Sequence, residues 1–370
     1  MPIEKISIDR FLELGKKFPV LDVRSPGEYK HAHIPGAYNL PLFTDEERKI
    51  VGTAYKQQSR EAAIKIGLDY FGPKMRQMVE YAESLETLSP PASGAKQVLV
   101  HCWRGGMRSA GVAWLLDLYG YKVCTLAGGY KSYRNWVIKT YSFPCSFNIL
   151  GGYTGSGKTY ILDELEKKGA AVINLERLAN HKGSAFGDIG MPEQPGQEMF
   201  ENLLSHELNA LMKSNADAAT GIPVFIWIED ESQRIGQINL PNTLWNTMRQ
   251  SPVLFINIPF EERLKHIVKE YGTLDKEKMV LGIGRIQKRL GPMETKTALQ
   301  KMEEGDIESC FRILLTYYDK HYNKALNNRE NLKSLLTNID CNSVDAKLNA
   351  NKINAKEVLA FSQLATNGHK

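Results

Sequence analysis

The chain has 370 residues, a net charge of +5 and ordinary apolar (42%) and charged (24%) fractions, which together favour two globular domains. No apolar run approaches the roughly 20 residues of a membrane-spanning helix, and residues 1–10 lack the apolar core of a signal peptide. We therefore expect a cytoplasmic protein without a membrane partner. The five cysteines are odd in number and include no C-x-x-C pair, which argues against a disulfide framework and against a structural metal site.

Residues 1–139 carry short apolar runs that alternate with helical patterns, which predicts a small α/β domain. We predict strands at 18–25, 36–42, 97–102 and 121–129, and helices in the charged segment 44–88 and at 108–120. The run that leads to Cys102 is apolar on both faces, as expected for a buried parallel strand.

Residues 140–370 predict a second α/β domain with a parallel sheet and a helical lid or C-terminal region, and the match of residues 152–159 to G-x-x-x-x-G-K-[ST] makes it P-loop NTPase-like. Strands are predicted at 147–151, 170–176, 222–230, 252–259 and 335–340, and helices at 158–168, through most of 260–335 and at 354–365. We find no internal repeat and no low-complexity tract.

The stretch VLVHCWRGGMRS, residues 98–109, puts Cys102 where a strand ends and a helix begins. Backbone N–H groups and the positive helix end converge there, and they favour both a thiolate and an anionic ligand. We therefore predict that Cys102 is the catalytic nucleophile. The predicted anion loop comprises Trp103, Arg104, Gly105, Gly106, Met107, Arg108 and Ser109.

The spacing from Cys102 to Arg108 is C-x5-R, preceded by His101, and it fits two chemistries. Cysteine phosphatases use this spacing to grip a phosphate with the arginine. A transferase whose donor is itself phosphate-like, such as selenophosphate, would need a loop of the same size.

Residues 152–159 match G-x-x-x-x-G-K-[ST] between a predicted strand and a predicted helix, which is the required context for a P-loop. The predicted phosphate-binding residues are Gly152, Tyr153, Thr154, Gly155, Ser156, Gly157, Lys158 and Thr159. Lys158 would hold a di- or triphosphate, and Thr159 could ligate Mg²⁺. Glu229 and Asp230 are candidates for an acidic element beside the magnesium, the alternative being a solvated strand end.

Two basic regions suit a polyanionic partner. The first 140 residues carry 20 Lys and Arg against 14 Asp and Glu. The segment GIGRIQKRLGP, residues 282–292, predicts a basic helix that is a lid over phosphates, a nucleic-acid contact or a solvated face.

The first domain resembles the rhodanese superfamily over about residues 5–137. The resemblance rests on LDVRSPGEY (21–29), HIPGAYNLP (33–41), VLVHCWRGGMRS (98–109) and LAGGYKSY (126–133). It implies that Cys102 carries sulfur or selenium and that Asp22 and Arg24 buttress the site.

A rhodanese domain followed by a P-loop domain resembles the tRNA 2-selenouridine synthase family over nearly the whole chain. The stretches 40–68 and 175–187 add to this resemblance, with small departures at Arg177 and Lys182. The implied substrate is tRNA with 2-thiouridine at the wobble position. Geranyl diphosphate would first alkylate its sulfur, and selenophosphate would then supply selenium.

The resemblance implies no tightly bound cofactor, although Mg²⁺ could bind beside the P-loop. An enzyme that supplies selenophosphate could be a partner. The basic segment 44–76 suits a tRNA backbone. Its aromatic residues Tyr55, Tyr70 and Phe71 would stack bases, line a prenyl pocket or pack internally.

Two rival functions remain open at this point. One is a cysteine phosphatase fused to a kinase-like P-loop module. The other is a nucleotide-binding regulator with an inactive rhodanese module, against which the intact Cys102 and its two arginines argue.

Overall fold

The computed structural model describes residues 3–88, 96–143, 145–214, 225–272 and 274–353. The chain forms two compact units, Met1–Thr140 with Glu201–His206, and Tyr141–Phe200 with Glu207–Lys370. Within the described ranges, no helix is long and apolar enough to cross a bilayer.

The first unit is built on a parallel sheet of five strands in the order β1-β5-β4-β2-β3. The strands are β1 Glu4–Ile6, β2 Val20–Asp22, β3 Tyr38–Asn39, β4 Gln97–His101 and β5 Lys122–Leu126. All five residues of β4, the central strand, are buried, in agreement with its apolar sequence.

The described residues of this unit also form seven helices and a 3-10 turn at Gly72–Lys74. The helices are α1 Ile8–Leu14, α2 Pro26–His31, α3 Asp45–Gln57, α4 Arg60–Phe71, α5 Met75–Leu88, α6 Met107–Leu118 and α7 Gly129–Thr140. The segment 44–88 is therefore three helices, the first of which starts with a capping box between Thr44 and Glu47. Phe71 belongs to the core, Tyr70 packs against it, and Tyr55 is exposed.

The second unit has its own parallel sheet, in the order β12-β11-β6-β8-β7. The strands are β6 Ser146–Gly152, β7 Val172–Ile173, β8 Phe225–Glu229, β11 Val253–Asn257 and β12 Leu336–Asp340, with a separate antiparallel hairpin of β9 Arg234–Ile235 and β10 Ile238–Asn239. The helices are α8 Lys158–Lys167, α9 Leu175–Ala179, α10 Gln197–Ser214, α11 Asn242–Gln250, α12 Phe260–Tyr271, α13 Lys276–Leu290, α14 Pro292–Glu304, α15 Ile307–Asn327 and α16 Leu332–Leu335.

The α/β class, the two parallel sheets and the helical region after residue 260 confirm the predicted fold. The strand predicted at 170–176 was too long, because the Asn174 side chain accepts a hydrogen bond from the backbone N–H of Arg177 and starts α9 there. The helix predicted at 354–365 lies outside the described residues.

Candidate active sites

The cysteine loop joins β4 to α6 and is fixed by its own backbone. The carbonyl oxygens of Cys102 and Trp103 accept hydrogen bonds from the N–H groups of Tyr130 (2.8 Å) and Lys131 (3.0 Å). Gly105 has a φ of 63°, and a Cβ there would lie 2.6 Å from the carbonyl oxygen of Leu126. Glycine is therefore required at this position of the predicted anion loop.

Hydrogen-bond donors surround the sulfur of Cys102. The N–H of Gly106 donates to Sγ at 3.3 Å, and the hydroxyl of Ser109 lies 3.2 Å from it. Burial raises the pKa of the Cys102 thiol, but Ser109 and the N–H groups of Gly106 and Arg104 outweigh burial and lower the pKa overall. The loop thus favours the thiolate, the reactive form of the side chain.

The arginines of the loop differ in their surroundings. Arg108 donates to Oε2 of Glu28 at 2.7 Å, and Arg48 of α3 lies 2.9 Å from the same oxygen. Arg104 is exposed and forms no ion pair in the described part of the chain. The side chains of Trp103 and Met107 are also exposed, and the guanidinium of Arg60, on α4, lies 3.9 Å from the Met107 sulfur. Cations of α3 and α4 therefore lie beside the loop.

A buried ion pair supports the loop from beneath. Nε of Arg24 lies 2.9 Å from Oδ1 of Asp22, and the Arg24 guanidinium lies 3.8 Å from the ring centroid of Tyr130. Burial raises the pKa of Asp22, but His101 and Arg24 outweigh it and lower the pKa overall. The Asp22 carboxylate therefore stays charged, and the Asp22–Arg24 pair is placed to support the cysteine loop through Tyr130.

The P-loop joins β6 to α8 in the way its motif predicts. Gly152, Gly155 and Gly157 have φ angles of 156°, 81° and 70°, and a Cβ on Gly155 would lie 2.8 Å from Ile267. Lys158 turns back and donates to the carbonyl oxygen of Gly152 at 2.9 Å. The loop therefore has the strained, glycine-dependent backbone of a phosphate cradle.

Other atoms of the P-loop are held by α12 and α15, or are unpaired. The hydroxyl of Tyr153 donates to Asn323 at 2.8 Å, and the carbonyl oxygen of Thr154 accepts from Arg263 at 3.0 Å. The hydroxyl of Ser156 is buried and has no hydrogen-bond partner in the described ranges.

Three glutamates lie next to Lys158 and Thr159. The hydroxyl of Thr159 donates to Oε2 of Glu176 (2.9 Å), whose N–H donates to Oε1 of Glu229 (2.9 Å). Burial, followed by the charge of Glu176, raises the pKa of Glu229 to about 8 and raises that of Glu231 well above its usual range. Burial also raises the pKa of Glu176 against the attraction of Lys158.

The predicted acidic pair at Glu229 and Asp230 divides between two environments. Asp230 accepts from the hydroxyl of Tyr322 at 2.6 Å and pairs with Arg329, so its oxygens are engaged. Oε2 of Glu229 is buried and lacks a hydrogen-bond partner among the residues described. The carboxylate that contacts Thr159 is Glu176, which the sequence reasoning missed although it lies in the stretch 175–187.

Hydroxyl and carboxylate oxygens are ligands that suit Mg²⁺, so Thr159 and Glu176 fit the cation that a P-loop implies. Across the described ranges, no group of three or more His, Cys, Asp and Glu side chains is arranged to hold a metal. A cation at Thr159 would therefore take its remaining ligands from phosphate oxygens or water.

A cleft of about 1010 Å³ opens from the P-loop. It contains cationic side chains from several elements: Lys158, Arg177, Lys182, Arg249 and Arg289. Its apolar and aromatic lining is supplied by Met191, Pro192, Trp245, Ile267, Tyr271, Tyr318, Tyr322, Ala325 and Leu326. The cleft can thus accept an anionic group together with an apolar one.

A rhodanese-like domain with a cysteine loop, followed by a P-loop domain, defines the class of this protein. The family model of the rhodanese-like domain matches residues 8–135, and that of the tRNA 2-selenouridine synthase AAA domain matches residues 145–352. The chain belongs to the tRNA 2-selenouridine synthase family and is an enzyme of this type.

Curated relatives bear the same family name. The tRNA 2-selenouridine synthase of Bdellovibrio bacteriovorus is 39% identical over 73% of this chain and 69% of its own length. That of Hydrogenovibrio crunogenus is 33% identical over 85% of this chain and 91% of its own. A solved rhodanese-related protein from Thermoplasma volcanium is 20% identical over 36% of this chain and 92% of that chain, with a TM-score of 0.21.

Proposed function

We propose that this enzyme converts 2-thiouridine at the wobble position of tRNA into 2-selenouridine. The observation that carries the proposal is the match of both halves of the chain, one to the rhodanese-like domain and one to the AAA domain named for tRNA 2-selenouridine synthase. The cysteine loop and the P-loop cleft then offer one site for each of two chemical steps.

The first step we propose is alkylation of the 2-sulfur by geranyl diphosphate. Sulfur attacks C1 of the geranyl group, the C–O bond breaks, diphosphate leaves, and the base loses its N3 proton. A thiocarbonyl sulfur is a poor leaving group until it becomes a thioether, so this step prepares the exchange. The cleft supports it, because Lys158 and the P-loop N–H groups suit the diphosphate and the aromatic lining suits the prenyl chain.

Mg²⁺, if held by Thr159 and Glu176 together with the diphosphate, would neutralise charge on the leaving group. The chain's own contribution is electrostatic, since Lys158 and the helix end face the site where negative charge develops.

The second step we propose is replacement of the geranylthio group by selenium from selenophosphate. Selenium attacks C2 and geranylthiolate leaves, after which the Se–P bond must break to release 2-selenouridine. Carriage of selenium on Cys102 as a perselenide would need an oxidant, because selenophosphate delivers selenium as selenide. We therefore assign Cys102 to the phosphoryl group: its thiolate takes the phosphoryl group from selenium, and water then cleaves the S–P bond.

The test is mass spectrometry of tRNA nucleosides after incubation with selenophosphate, with and without geranyl diphosphate. Wild-type enzyme should form 2-selenouridine only when both co-substrates are present. A Cys102→Ala variant should keep its tRNA affinity and accumulate S-geranyl-2-thiouridine. Full 2-selenouridine formation by that variant would contradict the assignment of Cys102.

The rival phosphatase function is separated by a chromogenic phosphate ester. A phosphatase should hydrolyse the ester rapidly without tRNA and form no 2-selenouridine. The proposed transferase should consume selenophosphate only when geranylated tRNA is present, and it should hydrolyse the ester at most slowly through Cys102.

A further inference from the structure

One face of α15 carries rings and cations at the rim of the P-loop cleft. Tyr317, Lys320, His321 and Lys324 are spaced i, i+3, i+4 and i+7, so they share a face of the helix. Arg289, near the end of α13, hydrogen-bonds Tyr317. Arg289 and His321 both line the cleft that contains Lys158. We call these five residues the α15 rim.

Among the described residues, no carboxylate forms an ion pair with the cations of the α15 rim. Arg289, Lys320 and Lys324 are exposed and form no ion pair with any residue that the structure describes. Burial is the largest cause of the lowered pKa of His321, and the charges of these three cations lower it further. All three therefore lie close to the His321 ring.

Other exposed or partly exposed cations of the same helical region are paired. Arg312 pairs with Glu261 (2.5 Å), Arg285 with Asp188 (2.7 Å) and Lys301 with Glu304 (2.9 Å). The α15 rim is thus a local concentration of unbalanced charge, which attracts a polyanion.

The rings of Tyr317 and His321 pack against each other, and the His321 ring is the exposed one of the two. The centroids of Tyr317 and His321 lie 4.4 Å apart at an interplanar angle of 56°, and Tyr318 follows at 5.2 Å from Tyr317. Tyr317 is half-buried beneath the exposed His321. Cations that track a backbone beside rings that stack bases are the means by which proteins hold single-stranded RNA.

We propose that the α15 rim binds the anticodon-loop nucleotides that flank the modified uridine. Lys320, Lys324 and Arg289 contact phosphates, and the His321 ring stacks on a splayed-out neighbouring base. Because His321 and Lys158 line one cleft, a base held on the rim brings the adjacent uridine to the diphosphate site. This inference rests on the proposed function, in which tRNA is the substrate.

The experiment measures binding of a fluorescent anticodon stem-loop RNA with 2-thiouridine to the full-length protein over a series of salt concentrations. Lys324→Glu and Arg289→Glu should each raise the Kd about 10-fold and lower the log–log salt slope by about 1. His321→Ala should raise the Kd by about 5- to 100-fold, the scale of one lost stacking contact, with an unchanged slope.

Lys296→Glu is the matched control, because Lys296 is an exposed lysine of α14 that lies outside the cleft lining and in no ion pair of the described chain. It should leave the Kd and the slope near the wild-type values. All four positions are exposed, so the melting temperatures should agree and a change in binding reports the surface itself.

If the rim variants bind RNA as Lys296→Glu does, the inference is wrong while the proposed function stands. If they weaken only the binding of geranyl diphosphate, the rim serves that co-substrate and the inference is also wrong. If the wild-type protein neither binds the stem-loop nor makes 2-selenouridine, the proposed function fails.

Discussion

The pKa of the Cys102 thiol is lowered by hydrogen bonds to the sulfur rather than by the side-chain charges of the loop arginines. Glu28 engages Arg108, while Ser109 and the loop N–H groups are the groups that act on the sulfur. A buried thiol would otherwise be harder to ionise than a free one. Replacement of a single donor should therefore be visible in the titration of the thiol.

We predict that Ser109→Ala raises the pKa of Cys102. In the wild-type protein the pKa of Cys102 lies below that of an ordinary thiol, and the thiolate is lost as the pH falls through this lowered pKa. The measurement is the ultraviolet thiolate absorbance against pH, with Cys102→Ser as the background. Ser84→Ala, at an exposed serine of α5, is the control and should titrate as the wild type. If the pKa of Cys102 is unchanged in Ser109→Ala, the Ser109 hydroxyl does not stabilise the thiolate.

Lys158 should act mainly in the transition state of geranylation. Negative charge grows on the departing diphosphate, so the attraction of the lysine grows with it. Lys158→Ala should slow geranylation roughly 10²–10³-fold, measured as S-geranyl-2-thiouridine formed per unit time. The same variant, given tRNA that is already geranylated, should still make 2-selenouridine. Normal geranylation with failed selenation would mean that the P-loop serves selenophosphate or a nucleotide.

At the scale of elements, the turn between β5 and α7 holds the cysteine loop in place. Gly129 has a φ of 60°, and a Cβ there would lie 2.4 Å from the carbonyl oxygen of Cys102. The start of α7 and the cysteine loop are therefore in backbone contact. A side chain at residue 129 cannot be accommodated without a shift of that loop.

Gly129→Ala should destabilise the protein by at least about 2 kcal/mol, because it combines a left-handed backbone with a backbone clash. Gly111→Ala is the control, since Gly111 lies inside α6 and a Cβ there would meet its nearest neighbour, Phe71, at an ordinary 3.8 Å. That change should be neutral or stabilise by up to about 1 kcal/mol. The free energies of unfolding of the two variants are measured by urea unfolding followed by circular dichroism. Equal changes in both variants would contradict the backbone clash at residue 129.

Elements with a strong local pattern were predictable from the sequence, and contacts made by folding were not. The apolar run of β4 and the glycine-lysine pattern of residues 152–159 each specify an element by themselves. β1 has only three residues, too few for a periodic signal. Glu176 and Glu231 meet Lys158 only through the folding of separate segments, and the capture of Asp230 by Arg329 joins residues 99 positions apart.

The whole molecule repeats one arrangement in its two units. Each candidate site follows the central strand of a parallel sheet, β4 for Cys102 and β6 for the P-loop, and opens at the start of a helix. Anion binding at such helix starts is a property of the backbone, so both sites suit phosphorylated ligands. Charge differs between the halves, because the excess of Lys and Arg is confined to the first 140 residues.

We predict that the affinity of the enzyme for tRNA falls steeply with salt. Exposed cations such as Arg48 and Arg60 on α3 and α4 would release counterions from several phosphates. The Kd measured between about 50 and 200 mM salt should rise with a log–log slope of several units. A nearly flat dependence over this range would count against recognition of the RNA backbone.

The pairing of Arg108 with Glu28 bears on which ions the cysteine loop can retain in a cell. An anion that draws on Arg108 must compete with a carboxylate that is already bonded at 2.7 Å and that Arg48 also holds. Chloride or bicarbonate, with a single charge, gains little from that exchange, whereas a multiply charged phosphorus oxyanion gains several charge-assisted hydrogen bonds at once. If the loop binds an anion as proposed, we therefore expect Glu28 to disfavour monovalent anions there relative to a multiply charged phosphorus oxyanion.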